Sequence, residues 1–212
     1  MGQFIKAAAC AGLMVVAPPV LAQDVRITTF KQSSTFSLNG ESYTVFRNPD
    51  VNAVITGDFA RTSRPCPTDC IQPMVAATGV ATLGELEVLA FLETTVTDGR
   101  GLLVDARAPE DYATGAIPGS VNIPTLTLSE TNRFRKDILR ALGASDRSDG
   151  SLDFSNAMDL AFYSGGTWSA DAPDAITQLI EAGYPASKLF YYRGGMQAWL
   201  SVGLSILLSP NG

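Results

Sequence analysis

Along the second two thirds of the chain, short apolar runs alternate with segments whose apolar residues recur at helical spacing. The apolar runs predict buried strands at residues 101–104, Asp159–Tyr163 and Leu189–Tyr192. The helical spacing predicts helices from Thr82 to about Glu93 and over residues 132–142 and 173–182, with a closing helical turn at 196–200. Thr82 and Glu85 have the spacing of a capping box. This alternation predicts an α/β fold with a mostly parallel sheet covered on both faces.

The preceding region, residues 23–77, has the pattern of a β extension. Residues 35–38 and 42–46 alternate in polarity and flank Asn39-Gly40, a strong hairpin signal. Residues 51–55 are a candidate third strand. The proline-rich residues 64–73 predict a pinned loop, and the polar residues 144–153 predict a flexible surface loop.

Residues 1–22 have the pattern of a secretory signal peptide. Lys6 precedes an apolar run, and small residues lead up to Ala22, where signal peptidase is expected to cleave. The run is too short for a membrane span, which needs about 20 residues. We therefore expect a periplasmic or secreted protein that loses Cys10 with the peptide. The expected organisation is a signal peptide at 1–22, the extension at 23–77 and one domain at 78–212.

The charge and composition exclude several classes of function. The chain carries 15 Lys and Arg against 21 Asp and Glu, and cleavage removes Lys6, so the net charge changes from −6 to −7. Such a protein is not expected to bind nucleic acid or an anionic membrane surface. Histidine is absent, which excludes a Ser-His-Asp triad, a Cys-His dyad and a metal site that uses histidine. We expect no metal and no cofactor.

Cys66 and Cys70 are the two cysteines that remain after cleavage. Two cysteines in an oxidising compartment usually pair, so we expect a structural disulfide. A redox-active pair is the alternative, although the spacing lacks the Cys-x-x-Cys geometry of reactive thiols.

Ser164 lies at the centre of the candidate site. The apolar strand before it ends at Tyr163, Gly165-Gly166 after it allow the backbone to turn sharply, and a helix follows. A strand, a glycine loop and a helix N-terminus direct several backbone N–H groups at one point, which suits an anion. The candidate binding loop consists of Ser164, Gly165, Gly166, Thr167, Trp168 and Ser169.

Three motifs, in order, resemble the rhodanese-like sulfurtransferase domain family over roughly residues 78–212. They are Val104-Asp105-Ala106-Arg107 with Pro109-Glu110-Asp111-Tyr112 and the run from Gly115 to Pro124; the loop at Ser164; and the segment from Arg193-Gly194-Gly195 to Trp199. The resemblance implies a rhodanese-like three-layer fold behind the hairpin extension. It also implies sulfur transfer through a loop cysteine that carries sulfane sulfur as a persulfide.

Ser164 stands where the family has that cysteine. A thiol ionises with a pKa of about 8.5, whereas a hydroxyl does not ionise near neutral pH and oxygen cannot hold sulfane sulfur stably. Many loops of the family also hold an arginine near the sixth position, which is Ser169 here, and the carboxylate of Asp171 repels an anion. Trp168 either shields a ligand or covers the loop.

Asp105, Arg107 and Arg193 are the candidate supporting residues that the resemblance indicates. We expect Asp105 and Arg107 to hold the loops below the site by hydrogen bonds. Arg193 either braces the loop or lies in solvent.

These observations favour a pseudoenzyme, an exported rhodanese-like module that binds a small anion, a sulfur compound or a periplasmic protein partner. The first alternative is an active sulfurtransferase that carries sulfur on a free Cys66 or Cys70. A weaker alternative is hydrolysis of a phosphate or sulfate ester by Ser164, for which the sequence offers no clear activating base.

Overall fold

The computed structural model of the protein describes residues 25–208. The predicted signal peptide at residues 1–22 lies outside them, with Cys10 and the expected cleavage site at Ala22. An antiparallel hairpin comes first, formed by β1 (Ser33–Leu38) and β2 (Glu41–Phe46). Asn39 and Gly40 form its turn with φ values of 52° and 83°, the pair of positive angles that a two-residue hairpin loop requires. The predicted hairpin is confirmed.

A parallel sheet with helices on both faces follows the hairpin. Its elements, in chain order, are β3 (Ala81–Leu83), α1 (Glu85–Phe91), β4 (Gly101–Asp105), α2 (Pro109–Thr114), β5 (Ser120–Asn122), α3 (Arg135–Ala141), β6 (Ser145–Asp146), β7 (Leu152–Asp153), β8 (Asp159–Tyr163), α4 (Asp171–Glu181), β9 (Leu189–Tyr192) and α5 (Gly195–Ser201). The five strands of the sheet lie in the order β3-β9-β8-β4-β5 and are all parallel. Asp105 at the end of β4 pairs with Tyr163 at the end of β8. The segments that follow these two strands therefore begin at the same edge of the sheet.

Two apolar cores cover the two faces of the sheet, as predicted. On one face, Leu139 of α3 and Ile176 and Leu179 of α4 pack against Phe162 and Tyr191. The other face is covered by α1, α5 and the hairpin, whose buried members include Val88, Trp199, Phe36 and Val45. Neighbouring residues of a strand face opposite sides of the sheet, which places Phe162 in the first core and Tyr163 in the second. The hairpin is thus part of the core. The domain boundary near residue 77 remains a prediction.

The third strand predicted at residues 51–55 is wrong. The segment is irregular and mostly exposed. Local bonds replace a strand ladder, since the side chain of Asn48 accepts from the amide of Asp50 and that of Asp50 accepts from the amide of Asn52, both at 2.9 Å. Asx turns of this kind compete with sheet pairing.

The start of the first helix also differs from the prediction. Thr82 belongs to β3, and the carboxylate of Glu87 accepts from the amide of Gly84 at 3.1 Å. The Thr82–Glu85 capping box is therefore wrong, because the helix starts after Gly84. Past α1 the chain continues through a π-helical turn over Leu92–Val96.

The other predicted helices are present, but they begin at different residues. The predicted surface loop at residues 144–153 also differs. The second helix begins at Arg135, because the side chain of Asn132 accepts from the amide of Phe134 at 3.0 Å. The helix after the loop begins at Asp171, two residues before Pro173. Residues 144–153 contain the short pair β6 and β7, so this link is more ordered than predicted. No helix within residues 25–208 is long and apolar enough to cross a bilayer.

Candidate functional site

Ser164 is the first residue after β8, at the carboxyl edge of the sheet. The residue is 1% exposed, and no other described residue forms a hydrogen bond with its hydroxyl. The hydroxyl therefore neither caps α4 nor donates to a described group that would activate it as a nucleophile.

Four carbonyl groups fix the loop after Ser164. The carbonyls of Ser164 and Gly165 accept from the amides of Met196 and Gln197 in α5, each at 3.0 Å. The carbonyl of Gly166 accepts from the amide of Ser169 at 3.0 Å, and that of Thr167 accepts from Gln72 in the extension at 2.8 Å. The loop is thus attached to both α5 and the extension.

Unlike its carbonyls, four amides of the same loop have no hydrogen-bond partner among the described residues. The N–H groups of Gly165, Gly166, Thr167 and Trp168 donate to no acceptor among residues 25–208. Unpaired backbone donors are costly where water is excluded, and Gly165 and Gly166 are buried. Four consecutive donors without a partner are the feature that an oxyanion-binding loop requires.

Trp168 covers this loop. A β-carbon placed on Gly165 would lie 2.7 Å from Cη2 of Trp168, and one placed on Gly166 would lie 2.9 Å from its Nε1. The indole therefore packs directly against both glycines, and its Nε1 donates to Oε1 of Gln197 at 2.9 Å. The guanidinium carbon of Arg64 lies 3.7 Å from the centroid of the ring, a cation–π contact.

A buried ion pair lies next to the loop. The carboxylate of Asp105, 0% exposed, accepts from Nε of Arg107 at 2.9 Å and from its Nη2 at 2.6 Å. Nη2 also donates to the carbonyl of Gly115 at 2.7 Å. Burial alone would lower the pKa of Arg107, but the hydrogen bonds and charge of Asp105 raise it. The pair fixes the chain after β4, and its supporting role at the site remains a prediction.

Ser169 and Asp171 bind each other at the start of α4. The hydroxyl of Ser169 donates to Oδ2 of Asp171 at 2.9 Å. Burial raises the pKa of Asp171, and the charges of Asp174 and Asp111 raise it further. This carboxylate forms its side-chain bond with Ser169 and not with Ser164.

A groove of about 1040 Å³ runs from the loop between the extension and the domain. Gly165, Trp168 and Met196 line one end of it. Its charged lining residues are Arg47, Arg61, Arg64 and Arg107 and the acidic Asp50, Asp58, Asp69 and Asp111. Since the two signs balance, the groove as a whole does not select an anion, and that selectivity has to come from the loop amides. Within residues 25–208, no His, Cys, Asp and Glu side chains cluster as a metal site.

The profile of the Rhodanese-like domain family matches residues 87–202, which is more than half of the chain. The chain belongs to the rhodanese-like domain family. Similar solved structures include a human single-domain sulfurtransferase, with 24% identity and a TM-score of 0.38, covering 57% of this chain and 96% of that one. They also include an As-Sb reductase from Leishmania major, with 19% identity and a TM-score of 0.45, covering 62% and 89% of the two chains. Comparison with curated proteins gave no match.

The first rhodanese-like motif is joined to the sheet by Tyr163. Its hydroxyl accepts from the amide of Ile117 at 3.1 Å and shares a 2.9 Å bond with the hydroxyl of Ser120. Burial keeps the pKa of Tyr163 well above its usual value, so the hydroxyl stays neutral and remains a donor. The motif is therefore attached to the strand that leads into the loop.

The closing rhodanese-like motif holds the extension in place. Nη2 of Arg193 donates to the carbonyl of Gln72 at 2.8 Å, so Arg193 is bound to the extension and not to the loop at Ser164. Gln197 accepts from Trp168 and donates through Nε2 to the carbonyl of Phe59 at 2.9 Å. The contacts of Arg64 and Gln197 were not anticipated from the sequence, because nothing in its pattern joins the extension to a loop about 100 residues later.

Gly195 is expected to tolerate no side chain. Its φ is +55°, and a β-carbon there would overlap the carbonyl of Ser164 and lie 2.8 Å from the amide of Gly166. Gly195→Ala should lower the free energy of unfolding by about 2 kcal/mol more than Gly203→Ala, since overpacking adds to the backbone strain. Gly203 is the matched control, with a φ of +72° and no atom closer than 4.0 Å. Urea unfolding measures both variants, and equal losses would contradict the predicted clash.

Proposed function

We propose that this chain is an exported rhodanese-like module that does not transfer sulfur and that binds a small oxyanion at the loop around Ser164. The observation that carries the proposal is the loop itself: four consecutive amides donate to no acceptor in the described part of the chain, and the side chain at their start is a hydroxyl. Export rests on the signal-peptide pattern of residues 1–22.

Sulfur transfer requires a thiolate that attacks the sulfur donor and then carries the persulfide. Ser164 cannot form a stable persulfide. Cys66 and Cys70 are joined in a disulfide with a Cα–Cα distance of 4.7 Å, so neither offers a free thiol in this state. The alternative of sulfur carried on Cys66 or Cys70 is therefore disfavoured.

Ester hydrolysis through Ser164 requires a base within hydrogen-bond reach of the hydroxyl. The chain has no histidine, and the carboxylate of Asp171 accepts from Ser169. The carboxylate of Asp105 is taken up by Arg107. These contacts favour binding over hydrolysis.

The amides favour a compact anion such as thiosulfate, sulfite or phosphate, because such an anion accepts several backbone N–H bonds at once. The adjoining groove, with charges of both signs, gives a larger ligand or a protein partner room beside the loop. A partner that presents an anionic group to the loop would use both surfaces.

The mature protein should show no thiosulfate-to-cyanide sulfur transfer, and it should bind thiosulfate in a calorimetric titration. Ser164→Asp should weaken that binding by at least about tenfold, because a fixed carboxylate repels the anion at short range. Ser145→Asp is the control, since Ser145 is exposed in β6 and receives the same charge. Sulfur transfer by the unaltered protein, or equal effects of the two substitutions, would overturn the proposal.

A further inference from the structure

We propose that residues 64–73, here called the latch, hold Trp168 over the loop and so lower the affinity of the anion site until the Cys66–Cys70 disulfide is reduced. This inference rests on the proposed function, because it concerns access to the same loop. It assigns a regulatory role to the extension.

The first contact of the latch is the Arg64 guanidinium on the Trp168 ring at 3.7 Å. The side chain of Arg64 is only 4% exposed. Its Nη1 donates to the carbonyl of Arg61 at 2.9 Å, and its Nη2 donates to the carbonyl of Asp58 at 2.6 Å. A guanidinium fixed by two carbonyls and set against an indole is a positioned contact that restrains the ring.

The disulfide begins two residues after Arg64. Cys66 and Cys70 bridge a short turn in which the amide of Asp69 donates to the carbonyl of Pro65 at 2.8 Å. The bridge restricts the chain on both sides of the turn, because it removes conformations that an open chain would sample. It therefore limits how far the two contact points of the latch, Arg64 and Gln72, can move apart.

The far end of the latch is bound to the loop and to Arg193, which lies between β9 and α5. The amide of Gln72 donates to the carbonyl of Thr167 at 2.8 Å, next to Trp168. Nε of Arg193 donates to the carbonyls of Gln72 and Pro73, each at 3.1 Å. The latch thus contacts the loop on both sides of the disulfide, once through a side chain and once through the backbone.

Trp168 packs on the loop, whose amides at residues 165–168 donate to no acceptor between residues 25 and 208. The indole packs on Gly165 and Gly166, and its single N–H donates to Gln197. It cannot accept bonds from the loop amides. The closed state therefore leaves the donors unpaired, and an anion that displaces the indole would satisfy them.

Reduction opens the latch by a balanced exchange with a dithiol reductant. A thiolate of the dithiol attacks one sulfur of the bridge, the S–S bond breaks, and the second thiol closes a disulfide within the reductant. Both cysteines end as thiols. Cys66 is exposed, so a reductant can reach the bridge.

Acrylamide quenching of tryptophan fluorescence tests the latch without any ligand. Trp168 and Trp199 are the two tryptophans of the chain, and Trp199 is 0% exposed, so a Trp168→Phe variant supplies the signal of Trp199 alone. Reduction of the unaltered protein with dithiothreitol should raise the quenching constant of Trp168 at least about twofold, as should Cys66→Ser/Cys70→Ser and Arg64→Gln. Arg133→Gln is the control, since Arg133 contacts Phe134 at 4.4 Å away from the latch.

Quenching that is unchanged after reduction and in Arg64→Gln would overturn the latch. It is also wrong if Trp168 becomes accessible only together with Trp199, because that result reports unfolding. Failure of the proposed function would be seen separately, as sulfur transfer or absent thiosulfate binding, whatever the quenching result.

Discussion

Arg107→Met is expected to destabilise the protein by about 3–5 kcal/mol, the range for breaking a buried ion pair on one side. The substitution leaves the carboxylate of Asp105 in a position that is 0% exposed. It also leaves the carbonyl of Gly115 without the 2.7 Å bond from Nη2. Most of the loss comes from the buried charge that remains, because the side chain of methionine fills a similar volume.

Arg140→Met is the matched control for this experiment. Arg140 binds Asp146 through two nitrogens, at 2.8 and 3.0 Å, much as Arg107 binds Asp105. Its side chain is 39% exposed and that of Asp146 is 48% exposed. Surface pairs contribute far less than buried ones because water screens them, so urea unfolding should separate the two variants clearly. Similar losses would show that burial does not decide the contribution of the Asp105–Arg107 pair.

The sheet was predictable because its strands carry a strong local signal. Leu160, Ala161 and Phe162 are 0% exposed, and a strand buried on both faces reads as a continuous apolar run. The edge strands β3 and β5 have three residues each and half-exposed positions. Their sequences resemble loops. The pattern around Thr82 in β3 therefore predicts a helix start instead of a strand.

The loop was predictable as a backbone feature, and its environment was not. Gly165 and Gly166 announce a turn after an apolar strand, which is a local property of the sequence. Whether Trp168 covers the loop depends on Arg64 and Gln197, which lie far from it in sequence or on another helix. No periodicity encodes such a contact. The wrong strand prediction at residues 51–55 has the same cause: their composition is strand-like, but whether a strand forms depends on a neighbouring strand, and these residues pair with none in the described structure.

Under the proposed function, the loop keeps its backbone donors but has no side chain that can carry sulfur. The donors belong to the backbone, so they do not depend on which side chain stands at Ser164, and the four N–H groups donate to no acceptor among residues 25–208. Arg64, which packs on Trp168 over the loop, belongs to the extension, and the extension lies before the matched region at residues 87–202. Catalytic competence and access to the loop therefore depend on different parts of the chain and can be tested independently.

Ser164→Cys is expected to create sulfurtransferase activity at least about a hundredfold above the background of the unaltered protein, the scale on which a nucleophile matters. The introduced thiolate would break the S–S bond of thiosulfate, keep the sulfane sulfur as a persulfide and release sulfite. Cyanide would then take that sulfur as thiocyanate. The loop amides would stabilise the persulfide anion. Because Cys66 and Cys70 are paired, a thiol titration of the mature variant should detect one free thiol, the introduced cysteine.

The latch should also slow this reaction, because the indole of Trp168 lies over the loop that the sulfur donor has to enter. Adding Arg64→Gln to Ser164→Cys should raise the rate several-fold further, roughly in proportion to the open population, while Arg64→Gln alone should remain silent. If Ser164→Cys is active and Arg64→Gln adds nothing, the loop is competent and the latch does not limit access. If Ser164→Cys is silent in both backgrounds although its thiol titrates, the loop amides do not stabilise a bound sulfur anion, and the binding proposal loses its physical basis.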